Sequence, residues 1–255
     1  MNQADKGIIG IVGGMGPEAG LALSRHIVYN TIARNDQDHL PQLLFTLPSE
    51  ISDRTDYITG RSKVNPGISI ASILLKMEDT GVNVAALACN SAHAPAIFDV
   101  ILSELKARNS SLKLLHVIKE TGSFILSHFP GKIKAGILGT SGTFITRQFD
   151  MLNSMGIEAI NITGQEQKIL HRAIYDPDYG IKSTTGTISK RALEIVQDVL
   201  TSLKGKGADI IILGCTELSL ICRKTFFMNI PVVDTSVVLA RALIKYHSPE
   251  KLKPL

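Results

Sequence analysis

One internal offset constrains this chain more than any other feature. Cys215 follows Cys89 by 126 residues, and Gly136 follows Gly10 by the same 126. At that offset Ile11 meets Ile137, Gly13 meets Gly139, Gly16 meets Gly142, Thr59 meets Thr185, Gly60 meets Gly186, Gly81 meets Gly207 and Leu87 meets Leu213. Chance identities between two α/β segments, chiefly of glycine, are the rival explanation. Two cysteines in matching surroundings favour a duplicated unit. At a rough domain length of about 150, the 255 residues hold between one and two domains, so two similar halves fit.

Short runs rich in Ile, Val and Leu alternate with longer amphipathic segments, the pattern of strands and helices in succession. Ile8–Val12, Leu43–Leu47 and Val84–Ala88 read as strands, as do Ala135–Leu138 and Ile210–Leu213 in the second half. Asn65 and Pro66 open a helix in which Ile70, Ile73, Leu74 and Met77 recur at i, i+3, i+4 and i+7. Ile188, Ala192, Ile195, Val196, Val199 and Leu203 stripe another, which stops at Gly205 and Gly207. The expected fold class is α/β: two similar Rossmann-like, three-layer α/β/α domains related by a pseudo-two-fold, with the active site in the cleft between them. In parallel sheets, ligand-binding groups collect beyond the carboxyl ends of strands. Cys89 and Cys215 each follow such a strand directly. Halves packed about a two-fold axis would turn both thiols toward one bound molecule.

Composition narrows the function. Twenty-seven Lys and Arg against 23 Asp and Glu leave a net charge of +4. These cations are dispersed and not interleaved with aromatics, so no nucleic-acid surface is expected; a small anionic substrate suits the slight excess. Apolar runs fall far short of the roughly 20 residues that cross a bilayer, and the MNQADK opening has no cationic leader, so no membrane partner is expected and the cytoplasm is the expected location. Three cysteines, Cys89, Cys215 and Cys222, make no disulfide framework and leave thiol chemistry, metal binding or burial open.

The turn GIVGGMGPEA offers Gly14, Gly16 and Ala19 to a dinucleotide pattern. However, the next strand ends in Thr46, Leu47 and Pro48 without the acidic residue a ribose needs, and Glu18 would repel a pyrophosphate. A tight structural turn and a small-carboxylate site are the alternatives. CNSAH (Cys89–His93) and GCTEL (Gly214–Leu218) share one layout: strand, cysteine, small polar residue, helix start. A cysteine at a helix amino terminus has its pKa of about 8.5 lowered toward neutrality and becomes a base. Asn90, Ser91 and Thr216, with nearby backbone N–H groups, would bind a carboxylate; two buried core cysteines are the bland alternative. The spacing of Cys89, His93, Cys215 and Cys222 matches no compact zinc site, so no metal is expected. Cys222 reads as structural, near Arg223 and Lys224. His93 reads first as a packing or capping residue, and its place one helical turn after Cys89 would let it tune that thiol.

GGMGP (Gly13–Pro17), CNSAH, LGTSGT (Leu138–Thr143) and GCTEL together resemble the aspartate/glutamate racemase family, over most of the chain and in the family's order. The resemblance implies two similar α/β domains with a cleft between them, Cys89 and Cys215 as the catalytic pair, no pyridoxal phosphate or metal cofactor, and a homodimer. GCTEL and GGMGP look like the aspartate racemase branch, with glutamate racemase as the runner-up. That branch implies that Arg54 and Lys182 meet the side-chain carboxylate of a dicarboxylic amino acid; solvated surface cations are the alternative. The remaining substrate-binding candidates are Met15 as a pocket wall, Asn90, Ser91, Ser141, Thr143 and Thr216 for the carboxylate, and Glu217 for the ammonium. Ser91 stands where the family commonly has threonine and keeps its hydroxyl. The resemblance also implies a discontinuous first domain, 1–112 plus 227–255, around a second, 113–226. A two-lobed carboxylate-binding protein without catalysis is the reading from another class.

Overall fold

The computed structural model describes residues 7–184, 187–221 and 226–255. Strands β1 (Ile8–Gly13), β2 (Gln42–Thr46), β3 (Val82–Leu87) and β4 (Lys113–Leu114) form a parallel sheet in the order β2-β1-β3-β4. Strands β5 (Ile133–Leu138), β6 (Ile157–Ile160), β7 (Ile210–Leu213), β8 (Phe226–Phe227) and β9 (Ile230–Asp234) form a second, ordered β6-β5-β7-β9-β8 and parallel except where β8 turns back on β9. Helices α1 (Pro17–Asn30), α2 (Arg54–Ile58), α3 (Pro66–Glu78), α4 (Pro95–Ala107) and α5 (Val117–His128) follow the first four strands in turn. Helices α6 (Ser141–Ile145), α7 (Met151–Ser154), α8 (Gly164–Tyr175), α9 (Lys190–Gly205), α10 (Leu218–Ile221) and α11 (Thr235–His247) complete the chain. The class is α/β, two parallel sheets with helices on both sides.

Local chemistry accounts for the long helices. The Asn65 side chain accepts the Gly67 N–H at 2.8 Å and Pro66 takes the first helical position, so α3 starts where its missing donor costs nothing. Its Ile70, Ile73, Leu74 and Met77 are buried in the first core. Ser189 caps α9 by accepting the Ala192 N–H at 3.1 Å. That cap leaves Ile188 outside the helix and exposed, a correction to the expected stripe; Ala192, Val196, Val199 and Leu203 are buried. Gly81 (φ +95°) and Gly207 (φ +81°) turn the chain from α3 into β3 and from α9 into β7.

The 126-residue offset survives as strand register. β1 pairs with β3 as Gly10–Ala85, Ile11–Ala86 and Val12–Leu87, and β5 pairs with β7 as Gly136–Ile211, Ile137–Ile212 and Leu138–Leu213, every member displaced by 126. Beyond the strand ends, the Ala88 N–H donates to the Val12 carbonyl at 3.0 Å and the Gly214 N–H to the Leu138 carbonyl at 2.5 Å. A methyl group placed on Gly10 would meet Met77, Val82 and Ala85; on Gly136 it would meet Leu203, Ala208 and Ile211, the same three positions of the repeat. Elsewhere the offset slips, because Gly10 pairs across to Leu43 after 33 residues and Gly136 to Ile160 after 24. Thr185 and Gly186, partners of Thr59 and Gly60 in the offset, lie outside the described residues, as does Cys222 with Arg223 and Lys224.

The chain divides into two compact units, Met1–Glu120 with Ser236–Leu255, and Thr121–Thr235. The crossings thus fall within α5 and at the start of α11, later than residues 113 and 226, because β4 pairs with β3 and β9 pairs with β7. No helix among the described residues is long and apolar enough to cross a membrane.

Candidate active site

In the first unit the candidate residues gather beyond the carboxyl ends of β1, β2 and β3. The β1–α1 turn is pressed onto the end of β2: Gly14 has φ +83°, and a Cβ there would lie 2.9 Å from the Leu47 and Pro48 nitrogens. Met15 is buried in the core beside this turn, and its carbonyl oxygen accepts Arg54 Nη2 at 2.8 Å. Arg54 opens α2 behind the Asp53 cap, is only 7% exposed, and donates Nη1 to the Ser52 carbonyl at 3.1 Å. The bland reading of Arg54 as a solvated surface cation is therefore corrected; two main-chain oxygens fix a buried guanidinium.

Cys89 is buried immediately after β3. The following segment is a single 3-10 turn, Asn90–His93, before Pro95 begins α4, so the expected α-helix terminus behind this thiol is absent. Asn90 and Ser91 are buried in that turn. His93 Nδ1 lies 3.0 Å from the Cys89 carbonyl oxygen, so this ring bonds the backbone that carries the thiol. His93, Phe98 and His116 pack as a ring cluster with centroids 4.8 to 5.2 Å apart. Burial, with His116 adding to it, drives the His93 pKa down to about 3; burial and Lys119 take His116 down to about 4. Both rings are neutral at pH 7, and His116 had no signal in the sequence because it follows a strand of only two residues.

In the second unit Cys215 is buried just past β7, where the turn Thr216–Glu217 leads into the four-residue α10. Its Sγ donates to Glu217 Oε2 at 3.0 Å, and Thr216 Oγ1 donates to the same oxygen at 3.2 Å. Glu217 Oε1 is ion-paired with Lys182 Nζ. Burial alone would raise the Glu217 carboxyl, but Lys182 and the Cys215 donor outweigh it and hold it below the usual carboxylate range. Burial works against the Lys182 charge, yet Glu217, then Cys215 and Tyr175, keep it above its ordinary value. The expected lowering of a cysteine pKa is reversed at Cys215: burial and then Glu217 push the thiol well up, and Lys182 only partly offsets them. Lys182 and Glu217, expected to hold the substrate side chain and ammonium, hold each other.

Ser141 and Thr143 sit in the short α6 after β5. Thr143 is buried and donates its N–H to the Thr140 cap. Ser141 Oγ accepts Gln167 Nε2 at 2.5 Å, and its N–H donates to His171 Nδ1 at 3.3 Å. His171 stacks on Tyr175 (4.6 Å), and Lys182 Nζ lies 5.3 Å from the Tyr175 centroid. A line of contacts thus runs from Ser141 to Cys215. The sequence reading passed over Gln167, His171 and Tyr175; their signal was the i, i+4, i+8 spacing that puts three polar or aromatic residues on one face of α8. Among the described residues no group of three or more His, Cys, Asp or Glu is placed to hold a metal.

Two buried thiols thus take equivalent positions of the repeat, each past the carboxyl end of an equivalent strand. Residues 12–243 match the Asp/Glu/Hydantoin racemase family. The chain belongs to this family. Against other members, it is 29% identical over 248 residues to the broad specificity amino-acid racemase RacX of Bacillus subtilis, covering 93% of this chain and 96% of that one. It is 27% identical to the Picrophilus torridus aspartate racemase, with a TM-score of 0.78 and coverage of 97% and 96%. The glutamate racemase of Francisella tularensis, at 17% identity, TM-score 0.63 and coverage of 98% and 84%, shares the fold.

Proposed function

We propose that this chain is an amino-acid racemase that interconverts L- and D-aspartate by transferring the α-proton between two cysteines. The carrying observation is the conserved register of the repeat, which gives Cys89 and Cys215 equivalent positions after β3 and β7. Racemisation needs one group to remove the proton from one face of the α-carbon and another to return one to the opposite face. One thiolate and one thiol meet that need, and turnover exchanges their states. Asn90, Ser91 and Thr216, with adjacent backbone N–H groups, take the α-carboxylate and stabilise the charge that grows on it as the proton leaves. Arg54, whose guanidinium can donate to a carboxylate as a bidentate fork, takes the side-chain carboxylate. Ser141, Thr143 and Met15 line the remainder of the pocket. A homodimer and a cytoplasmic location belong to the same proposal.

Likeness to the Picrophilus torridus aspartate racemase supports aspartate as the substrate. One observation favours a wider range: Lys182, the second cation expected for a side-chain carboxylate, is paired with Glu217, and a broad specificity racemase is among the relatives. Deuterium incorporation at the α-carbon in D₂O, measured over a panel of amino acids, decides between them. Aspartate should exchange and racemise, and both Cys89→Ala and Cys215→Ala should abolish this with the fold intact. Near-normal racemisation by either variant, or aspartate binding without exchange, would refute the two-thiol scheme.

A further inference from the structure

The two-thiol reading leaves open which cysteine carries the proton before substrate arrives, and the Cys215 cluster bears on that question. The Cys215 Sγ donates to Glu217 Oε2 at 3.0 Å, a contact that requires the proton to be on sulfur while the carboxylate is charged. Thr216 Oγ1 donates to the same oxygen at 3.2 Å. The other carboxylate oxygen is held by Lys182, which also faces the Tyr175 ring at 5.3 Å. Glu217 is 5% exposed, so little water competes for it.

We propose that Glu217 and Lys182 are positioning residues that keep the proton on Cys215, so that Cys215 is the thiol of the resting pair. This rests on the two-thiol reading, which needs one of each. In the first half-reaction the Cα–H electron pair stays on the substrate as Cys89 takes the proton. Cys215 then forms the new Cα–H bond and is left as a thiolate. That thiolate faces the Glu217 carboxylate, which disfavours it, while the Lys182 ammonium and, to a lesser degree, the Glu217 backbone N–H offset the repulsion. Among the described residues, the charged or titratable groups facing Cys215 are Glu217 and Lys182, and those facing Lys182 are Glu217, Cys215 and Tyr175.

Because racemisation has an equilibrium constant of one, kcat/KM must be equal from either enantiomer at every pH, so comparing directions cannot reveal this asymmetry. Thiol reactivity can. Iodoacetamide alkylation, followed at each cysteine by peptide mass mapping between pH 6 and 10, should label Cys89 before Cys215. Glu217→Gln should speed labelling at Cys215 by tenfold or more at pH 8 and leave Cys89 unchanged. The alkaline limb of the kcat/KM profile should move down by about one pH unit, since it reports loss of the second proton. Lys182→Met should slow labelling at Cys215, and Lys182→Arg should restore it. Equal labelling of the two cysteines in the unmodified enzyme, no change at Cys215 in Glu217→Gln, or an equal change at both cysteines would overturn the assignment. So would faster labelling at Cys215 in Lys182→Met. The labelling readouts do not depend on turnover, so they fail separately from the two-thiol scheme, which falls if a single-cysteine variant still racemises.

Discussion

Arg54 shows how a residue is committed by its surroundings before any ligand arrives. Its guanidinium is buried and donates to the Met15 and Ser52 carbonyls, so the fork is oriented by main chain from the β1–α1 turn and the segment ahead of α2. Lysine would keep the charge but cannot span both oxygens in that geometry. Arg54→Lys is therefore expected to cost about 1.5–3 kcal/mol in urea unfolding, the scale of hydrogen bonds made by a charged donor. Arg54→Ala should reduce kcat/KM for aspartate far more than for an uncharged amino acid; an unchanged preference would remove Arg54 from specificity. At this scale the sequence was legible where one residue type sits at one fixed place, as for the cysteines after their strands. It was silent where partners are distant: Lys182 and Glu217 are 35 positions apart, and nothing local marks them as a pair. The expected effect on the Cys215 thiol was also inverted, because burial and the Glu217 carboxylate outweigh Lys182 and no long helix terminus stands behind the sulfur.

At the scale of elements, the strand–helix–strand repeat was readable because buried parallel strands are continuous apolar runs and helices carry a 3.6-residue period. Short or edge elements were not: β4 has two residues, β8 another two, and neither has room for a pattern. The repeat also sets up a controlled packing experiment. A Cβ on Gly10 would come within 2.6 Å of Val82 Cγ1, closer than real contacts allow, whereas on Gly136 it would approach the equivalent Ala208 at 3.1 Å. Gly10→Ala should cost about 1–3 kcal/mol by overpacking, and Gly136→Ala less. Val82→Ala copies the second half's residue and removes the clashing methyl groups. The double variant Gly10→Ala/Val82→Ala should thus be more stable than the sum of its single changes, with a coupling of about 1 kcal/mol in a double-mutant cycle. Strict additivity would mean that the two halves do not share this packing rule.

The whole molecule distributes its titrating groups unequally between the two units, and acid should reveal it. The first unit buries His93 and His116, whose folded pKa values are lowered to about 3 and about 4 from 6.5. For a histidine with a depressed folded pKa, the unfolded chain binds the proton first, so stability is full above pH 6.5 and falls as pH drops toward the folded value. His93 alone should remove about 2 kcal/mol between pH 7.5 and 5 by this linkage. The second unit depends on carboxylates. Ser202 and Lys206, as hydrogen-bond donors, hold Glu166 down to about 2, and Lys182 holds Glu217 below its usual range against burial. Their contribution is full above pH 4.5 and is lost only below it. Hydrogen-exchange mass spectrometry from pH 7.5 to 4.5, corrected for intrinsic rates, should show protection weakening first in β1, β3 and α4 while β5, β7 and α9 hold. His116→Phe should shift the first unit's loss to lower pH by removing one of the two protonation sites. Protection that fell equally in both units over that interval would show that the buried imidazoles do not govern acid stability.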